Sequence, residues 1–309
     1  MIDIYMAGNC ENGLFERLLD HNVDKLFNYV TEMNGIKKFI EYVSGHPQIT
    51  SKLFVDSGAF TAWTLGHDID VDAYIKFLNE NDKYLTLAGQ VDSIPGTKGK
   101  IGTPEDTRIA AEKTWANYLY MRERLNNPDL ILYTFHIGEP LEFLKQALEW
   151  RDEHGNPIKY MAFGGMVGKP RSVRDGFLNT AFHIIKNSSN PDIKVHAFGM
   201  TDRMLLKKYP ITSADSTTWI KQAVLGRLYT PVGLITVSDV QKHSLDHLDN
   251  FPEDVKMNLE EFFNNYELTT KELKESYKDR KFLNAMYIRD QIHAIEQLGH
   301  SKKRKLFSI

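Results

Sequence analysis

The feature that most constrains the fold is an alternation of short apolar runs with longer stretches of helical periodicity. Eight runs rich in β-branched, aromatic or other apolar residues predict strands. They are Ile2–Met6, Leu53–Asp56, Tyr84–Asp92, Leu130–His136, Ile158–Phe163, Ile193–Phe198, Ile211–Asp215 and a segment within Leu228–Val237. Strands that alternate with helices in this number predict an α/β fold, a parallel (β/α)8 TIM barrel, for which 309 residues are sufficient.

Stretches with a helical period lie between these runs. They are Phe15–Tyr29, Ile36–Val43, Val71–Asn79, Thr103–Leu125, Leu141–His154, Val173–Lys186 and Thr201–Lys208. The last predicted strand has a hairpin as its alternative, because Leu228–Val237 contains Pro231 and Gly233.

The C-terminal part of the chain differs in composition. From about Ser238 it consists of charged, amphipathic segments that predict helices. These segments are Leu259–Tyr266, Thr269–Tyr277 and Phe282–Gln297. Thr269-Thr-Lys-Glu272 resembles a capping box. We therefore predict a catalytic barrel over residues 1–237 and a helical extension packed on it over residues 238–309, with a basic tail.

Composition excludes several kinds of site. A single cysteine, Cys10, excludes a disulfide framework and a cysteine-rich zinc site, and we predict that its thiol is inert. His243 and His247 have a spacing that suits a metal site on a helix, but no third ligand accompanies them, so we predict surface histidines and no metal. Without a long apolar run or a signal-peptide pattern, we expect a cytoplasmic protein with no membrane partner.

Two carboxylates follow predicted strands. Asp215 closes the seventh run and precedes Ser216–Thr218, hydroxyl residues that are positioned to start a helix. Asp56 closes the second run and precedes small residues, which let a ligand approach the backbone closely. The carboxyl ends of barrel strands converge at one face, so we expect both acids at one site. Two carboxylates there can support displacement at a sugar carbon, with loop capping as the alternative role.

Four short segments of the predicted barrel carry a resemblance to a known enzyme family. They are Asp56-Ser-Gly-Ala-Phe60, Phe163-Gly-Gly-Met-Val-Gly168, His196-Ala-Phe-Gly-Met-Thr201 and Ala214-Asp-Ser216. In this order they resemble the Asp-Ser-Gly-Gly-Phe segment, the glycine-rich base-binding loop, the Gly-Val-Gly-Thr turn and the nucleophile position of the tRNA-guanine transglycosylases. The matches span Leu53–Trp219, which is most of the barrel.

Departures from the family's pattern point to one of its branches. The tRNA enzymes carry a zinc cluster of three cysteines and a histidine, whereas this chain has no cysteine after Cys10. Ala59 replaces the family's second glycine, and Thr61 replaces its glutamine. The trimmed pattern is most similar to the DpdA branch, the phage and bacterial enzymes that insert 7-deazaguanine derivatives into DNA. If the chain is phage-encoded, we expect it in the host cytoplasm.

The resemblance implies a pentosyltransferase without a cofactor. Its partners would be double-stranded DNA, guanine and a 7-deazaguanine base such as preQ0. Asp215 would attack C1′ and release guanine, and the incoming base would displace the resulting glycosyl ester with retention. Asp56 would act as general acid or base. A duplex target would require the guanosine to be flipped into the pocket.

Two alternatives remain open from the sequence. One is the same exchange in tRNA, against which the missing zinc ligands argue. The other is a catalytically silent barrel that binds nucleic acid as the partner of an active subunit. A homodimer is compatible with the sequence, which does not set the oligomeric state.

Further residues are expected to bind the base. They are Asp92, Gly164, Gly165, Phe60, Phe198, His136 and Glu139. Asp92 would accept hydrogen bonds from the N1–H and amine of a guanine-like edge, with a turn start as its alternative role. The two glycines would present backbone groups, or simply form a turn. The two phenylalanines would sandwich the ring, or belong to the core.

Basic residues near the predicted mouth of the barrel are candidates for phosphate contacts. They are Lys169, Arg171, Arg174, Lys207 and Lys208, with Lys98, Lys100 and the Lys302–Lys305 run as further candidates. Because the formal net charge is −3, a nucleic-acid partner requires such a local patch. Ordinary solvated charge is the alternative.

Overall fold

A closed barrel of eight parallel strands forms the centre of the molecule, and the strands pair in chain order. The computed structural model describes residues 1–96 and 102–299. The strands are β1 Asp3–Ala7, β2 Lys25–Asn28, β3 Leu53–Asp56, β4 Leu87–Gly89, β5 Ile131–His136, β6 Tyr160–Gly164, β7 Lys194–Ala197 and β8 Ser213–Ser216. Pairing of β1 with β8 closes the ring, which confirms the predicted (β/α)8 TIM barrel.

Helices follow the strands and surround the barrel. Those between barrel strands are α1 Leu14–Asp20, α2 Met33–Gly45, α3 Ala59–Leu65, α4 Val71–Asn81, α5 Pro104–Arg122, α6 Leu141–Glu149, α7 Arg171–Lys186 and α8 Arg203–Lys208. After β8 come α9 Thr218–Val224, α10 Glu253–Asn264, α11 Thr270–Glu275 and α12 Tyr277–Gly299. Within the described ranges, none of these helices combines the length and apolar character that crossing a bilayer requires.

The inward side chains of the strands decide what lines the barrel. Tyr5, Leu26, Phe54, Leu87, Leu132 and Ala162 form one apolar cluster inside it. Because side chains alternate along a strand, the residue two positions further on also faces inward, one layer closer to the carboxyl ends. This places Asp56 above Phe54, Gly89 above Leu87 and Gly164 above Ala162. The apolar layer is therefore the floor of whatever cavity the next layer forms.

The second strand was not predicted correctly. The sequence predicts one helix over Phe15–Tyr29, but α1 ends at Asp20 and the chain turns back into β2. Asn22 forms the turn with a φ of 52°, a left-handed conformation that asparagine tolerates better than most residues. The lysine at the first position of β2, Lys25, argued against a buried strand in the sequence, since a lysine is rarely buried. Its ammonium group is buried against the Trp219 ring, 4.6 Å from the ring centre, and donates to the Gly8 carbonyl.

The predicted eighth strand is also wrong as a barrel strand. Residues within Leu228–Val237 form an antiparallel hairpin outside the barrel, β9 Arg227–Thr230 and β10 Gly233–Thr236. The turn falls at the Pro231 and Gly233 positions that suggested the hairpin alternative. The seventh run of the sequence supplies the last barrel strand, β8.

The C-terminal helices pack on the barrel through α12. Arg280, which is buried, donates to the carbonyl groups of Ala223, Leu273 and Lys274, and so joins α12 to the ends of α9 and α11. Lys281 pairs with Glu11 in the loop after β1 at 2.8 Å. The predicted capping box at Thr269 and Glu272 is confirmed at the start of α11. These contacts hold α9, the helix that follows β8.

Candidate active site

Three carboxylates meet at the carboxyl end of the barrel. Asp56 is the last residue of β3, Asp215 is the third residue of β8, and Asp92 lies in the loop after β4. Burial, followed by the negative charges of Asp92 and Asp215, raises the pKa of Asp56 to about 7. Because the charges of Asp92 and Asp215 act on Asp56, the three acids lie close together at the mouth of the barrel. Asp92 also lines a cavity there with Ala59 and Trp63.

The backbone around Asp56 leaves room for this carboxyl. Gly58 adopts a φ of +79° and donates its N–H to Oδ2 of Asp56 at 3.3 Å, which partly offsets the rise in pKa. A Cβ at Gly89, on the neighbouring strand, would lie 3.1 Å from Oδ1 of Asp56. Gly58, which follows Asp56 in the chain, and Gly89 on the neighbouring strand therefore leave space around the carboxyl group.

Asp92, His136 and Glu139 form a second polar group on the cavity wall. Nε2 of His136 lies 2.9 Å from Oδ2 of Asp92, and Nδ1 lies 2.8 Å from Oε1 of Glu139. Burial by itself lowers the pKa of His136, but the hydrogen bonds to Asp92 and Glu139 outweigh it and raise the pKa to about 10. The ring is therefore an imidazolium at neutral pH, held between two carboxylates.

Gly164 and Gly165 lie beside this imidazolium. A Cβ at Gly164 would lie 2.5 Å from Cδ2 of His136, so the His136 ring occupies the space that any other residue would fill. Gly165 has a φ of +73°, in the left-handed region that favours glycine. Both glycines belong to the strand end and turn that the sequence predicted, and Gly164 has a packing reason for its identity.

Asp215 is held from the neighbouring strand. The N–H of Gly199, in the turn after β7, donates to Oδ1 of Asp215 at 2.8 Å. Nε2 of His196 lies 3.3 Å from the same oxygen. The side chain of Asp215 is 10% exposed, so it is largely withdrawn from solvent. Two groups from β7 and the turn that follows it therefore hold the carboxylate of Asp215 in place.

The two candidate stacking residues differ in their surroundings. Phe60, in the first turn of α3, is 65% exposed and packs only loosely on Trp63, with ring centres 5.9 Å apart. Phe198 is half-buried and packs on Phe54 and His196 at the rim of the apolar floor. Phe60 is therefore available for stacking, whereas Phe198 is partly committed to the core.

The predicted phosphate-binding residues divide into two groups. Arg171 and Arg174 lie at the start of α7, near the mouth, and both bond to Asp202. Lys169 precedes them and is exposed. Lys207 and Lys208 lie at the far end of α8, away from the strand ends, and Lys208 pairs with Asp175 at 2.7 Å. Lys98, Lys100 and Lys302–Lys305 lie outside the described residues.

The prediction of two surface histidines on a helix is wrong in part. His243 is exposed, but His247 is fully buried, and both lie in irregular chain before α10. His247 lies with Asp239 and Asp249 in a cluster whose ligand atoms are within 4.8 Å of one another. The ammonium group of Lys274 lies 2.6 Å from Asp249 and 3.8 Å from Asp239, so a cation of the chain itself neutralises this cluster.

Sequence reasoning assigned no role to three polar residues that shape the site. Asn28, at the end of β2, donates to Thr61 and accepts from the N–H groups of Val30 and Thr31. Glu32 accepts the N–H groups of Asn9 and Asn28, and so joins the loops after β1 and β2. The third residue is His196. Its signal was available, because a histidine at an inward position interrupts an otherwise apolar strand.

The fold and the site define a TIM-barrel protein with a cluster of carboxylates and one imidazolium at the carboxyl end of its strands. Neither a comparison with models of known protein families nor a comparison with curated proteins finds a match for this chain.

Proposed function

We propose that the protein is a transglycosylase that exchanges guanine in DNA for a 7-deazaguanine through a covalent glycosyl-aspartate intermediate. One observation carries the proposal: Asp56, Asp92 and Asp215 lie close enough at the carboxyl ends of the strands for their charges to interact, and Asp56 has a pKa raised to about 7. An acid with this pKa can hold or release a proton at neutral pH, as exchange of a base requires. The second support is the resemblance of four ordered motifs to the transglycosylase family.

The first half-reaction uses both catalytic acids. An oxygen of Asp215 attacks C1′ of the flipped nucleoside, and the C1′–N9 bond breaks with its electron pair passing to the base. Protonated Asp56 gives its proton to the departing guanine, which is a poor leaving group as an anion. The product is a glycosyl ester on Asp215 and a neutral free guanine.

The second half-reaction reverses these roles. Ionised Asp56 takes the N9 proton of the incoming deazaguanine, and N9 then attacks C1′ as the ester bond to Asp215 breaks. Two inversions give overall retention at C1′. Asp56 ends protonated, as it began, so protons balance over the cycle.

Asp92 and its neighbours are assigned to the base. The bond from His136 engages Oδ2 of Asp92, and we assign the other oxygen to the N1–H and amine of a guanine-like edge. A carboxylate offers only acceptors, so this edge excludes adenine, whose N1 carries no proton. Phe60, which is exposed at the rim, is assigned to stacking on the base.

Basic residues at the mouth of the barrel are proposed to contact the DNA. Lys169 and Arg171 lie at the start of α7, where both are exposed, and we assign them to phosphate groups beside the flipped nucleotide. Asp202 already bonds Arg171, so phosphate would have to compete with that carboxylate.

The direct test is incubation with a guanine-containing DNA duplex and preQ0, followed by digestion to nucleosides and mass analysis. We expect the deazaguanine nucleoside in the DNA and an equal amount of released guanine. A parallel incubation with a tRNA transcript separates the two polymers, and exchange confined to tRNA would replace DNA as the substrate. Lack of exchange into either polymer by the folded protein would remove the proposal.

A further inference from the structure

A chain of hydrogen-bonded side chains crosses the barrel interior and ends at Asp215. The hydroxyl group of Tyr160, at the start of β6, donates to Oγ of Ser213 at 2.7 Å. Oγ of Ser213, at the start of β8, lies 2.7 Å from Nδ1 of His196. Nε2 of His196 then lies 3.3 Å from Oδ1 of Asp215. Ser213 and Asp215 are two positions apart on β8, so both face inward.

The surroundings of His196 are apolar and dry. His196 and Ser213 are fully buried. The imidazole ring packs edge-on against Tyr5, Phe54 and Phe198, with ring centres 4.6 to 6.2 Å apart. Hydrogen bonds in such a medium are stronger and more strongly oriented than in water. The chain is therefore a rigid support and not a solvated cluster.

The order of donors follows from the two ends of the chain. Burial raises the pKa of Tyr160, so its hydroxyl keeps its proton and donates to Ser213. In the proposed attack Asp215 acts as a carboxylate, which offers only acceptors, so Nε2 of His196 carries the proton of their hydrogen bond. In the neutral imidazole, Nδ1 is then the acceptor, and Ser213 donates to it. One tautomer of His196 satisfies every bond in the row.

Both bonds to Asp215 fall on the same oxygen. Oδ1 accepts from Gly199 N–H and faces Nε2 of His196. Among the described residues, none donates a hydrogen bond to Oδ2 of Asp215. Two donors from β7 and its turn therefore fix the rotation of the carboxylate and leave the second oxygen unengaged.

We infer that His196 is a positioning residue, locked as its Nε2–H tautomer by Ser213 and Tyr160, and that it reserves Oδ2 of Asp215 as the oxygen that bonds to C1′. The inference rests on the proposed function for the role of Asp215. Holding a nucleophile at its attack angle contributes to the chemical step and not to binding. When the ester breaks, negative charge returns to the carboxylate, and the donors on Oδ1 stabilise it.

The tautomer is tested in the free protein, without substrate. The chain has 11 histidines, and ¹⁵N-histidine labelling with the His196→Gln variant identifies the His196 signal by its loss. We expect a protonated Nε2 and an unprotonated Nδ1 that accepts a hydrogen bond, with the Nδ1 shift moving in Ser213→Ala. A proton on Nδ1 in the free protein, as the other tautomer or as the imidazolium, would overturn the lock.

The positioning role is tested by kinetics. His196→Leu, which removes the donor, should lower kcat for exchange by about 10²–10³-fold with little change in KM for DNA. His196→Gln keeps an N–H group near the Nε2 position and should restore kcat to within about 10-fold of wild type. Thermal melting of each variant checks that the fold survives, and the Gln variant keeps the test valid if the Leu variant unfolds.

The outcomes separate this inference from the proposed function. If the wild-type protein exchanges no base, the proposed function fails, while the tautomer measurement still decides the hydrogen-bond order. If the wild type is active and His196→Leu keeps the wild-type kcat, or changes only KM, His196 does not position the nucleophile.

Discussion

The acids at the two ends of the barrel have different charged neighbours. At the amino ends of the strands, Asp3 pairs with Lys52 at 2.6 Å, and Asp24 accepts the Lys52 N–H at 2.7 Å. At the carboxyl ends, Asp56 has acids as its charged neighbours, which push its pKa upward. Lys52 thus compensates the acids at the base, whereas other acids raise the pKa of Asp56 at the mouth. An ionised Asp56 therefore opposes folding.

Asp24 at the base and Asp56 at the mouth show this contrast most directly. Burial raises the pKa of Asp24 and of Asp56 alike to about 7. For Asp24, the next cause in size is a hydrogen bond that lowers the pKa, whereas for Asp56 the next causes are two carboxylates that raise it. Similar pKa values therefore arise from different surroundings, and only Asp56 of the two lies at the carboxyl ends of the strands.

The largest expected effect separates the two ends by activity. Asp215→Ala should reduce base exchange by at least about 10⁴-fold, because no other group can form the ester. Asp3→Ala, at the base, should change the rate by less than about 2-fold, because surface ion pairs contribute little. The measurement is the rate of deazaguanine incorporation into duplex DNA. Full activity of the Asp215 variant would end its assignment as nucleophile.

Next in size is the loss of the proton donor. Asp56→Asn should lower kcat/KM for DNA by about 10²–10⁴-fold. In the wild type, kcat/KM should fall as the pH rises above about 7, because the first half-reaction needs protonated Asp56. A pH–rate profile of the two proteins tests this, and the fall should be missing from the residual activity of the variant. An unchanged profile in the variant would assign the proton to another group.

A smaller effect compares the ends by stability. The folded-state pKa of both Asp24 and Asp56 lies above the unfolded value, so folding binds protons and stability falls as the pH rises from about 4 to about 7. Replacing either acid with Asn should reduce that fall by on the order of 3 kcal/mol. Urea unfolding across this pH range measures it.

The two variants should nevertheless differ in function. Asp24→Asn should keep base exchange close to wild type, and Asp56→Asn should not. Equal losses of activity would show that the contrast between base and mouth is mistaken.

The smallest effect concerns the wall of the cavity. Gly164→Ala would place a Cβ against the His136 ring and should raise KM for the incoming base by about 10-fold through a displaced Asp92. Gly176, within α7, is a matched control, because a Cβ there meets nothing within 4 Å. Gly176→Ala should leave KM unchanged and stabilise the fold by about 0.5–1 kcal/mol. Equal KM values for the two variants would remove His136 from the base site.

The sequence predicts the barrel architecture because the alternation of apolar runs with helical stretches is typical of that topology. The two errors in the predicted strands have one cause. A local sequence pattern does not show which distant groups pack against a segment in the folded protein. Lys25 reads as a surface residue until the Trp219 ring and the Gly8 carbonyl receive its ammonium group. Likewise, residues within Leu228–Val237 have strand propensity, but only packing decides whether a strand joins the barrel or pairs with its own neighbour.

The position of the two acids could be predicted from the sequence, but their surroundings could not. Asp56 and Asp215 could be placed together because parallel strands gather their carboxyl ends. The state of His136 could not be predicted, because it depends on two acids from different loops at 2.9 and 2.8 Å. The inward histidine of β7 could be noticed in the sequence, but its partner could not, because the register of β7 with β8 sets His196 beside Ser213.

The pairing of β1 with β8 has a consequence for the order in which the molecule folds. Tyr5 is in register with Asp215, and the Trp219 indole bridges to the Ala7 carbonyl across 212 positions of sequence. A contact between such distant positions carries a large loop-closure entropy and forms late. The neighbours that β1 provides to Asp215 therefore arrive only when the first strand meets the last. Until then a chain that is still folding carries Asp215 at an open strand edge, so the candidate site and the closed ring are completed together.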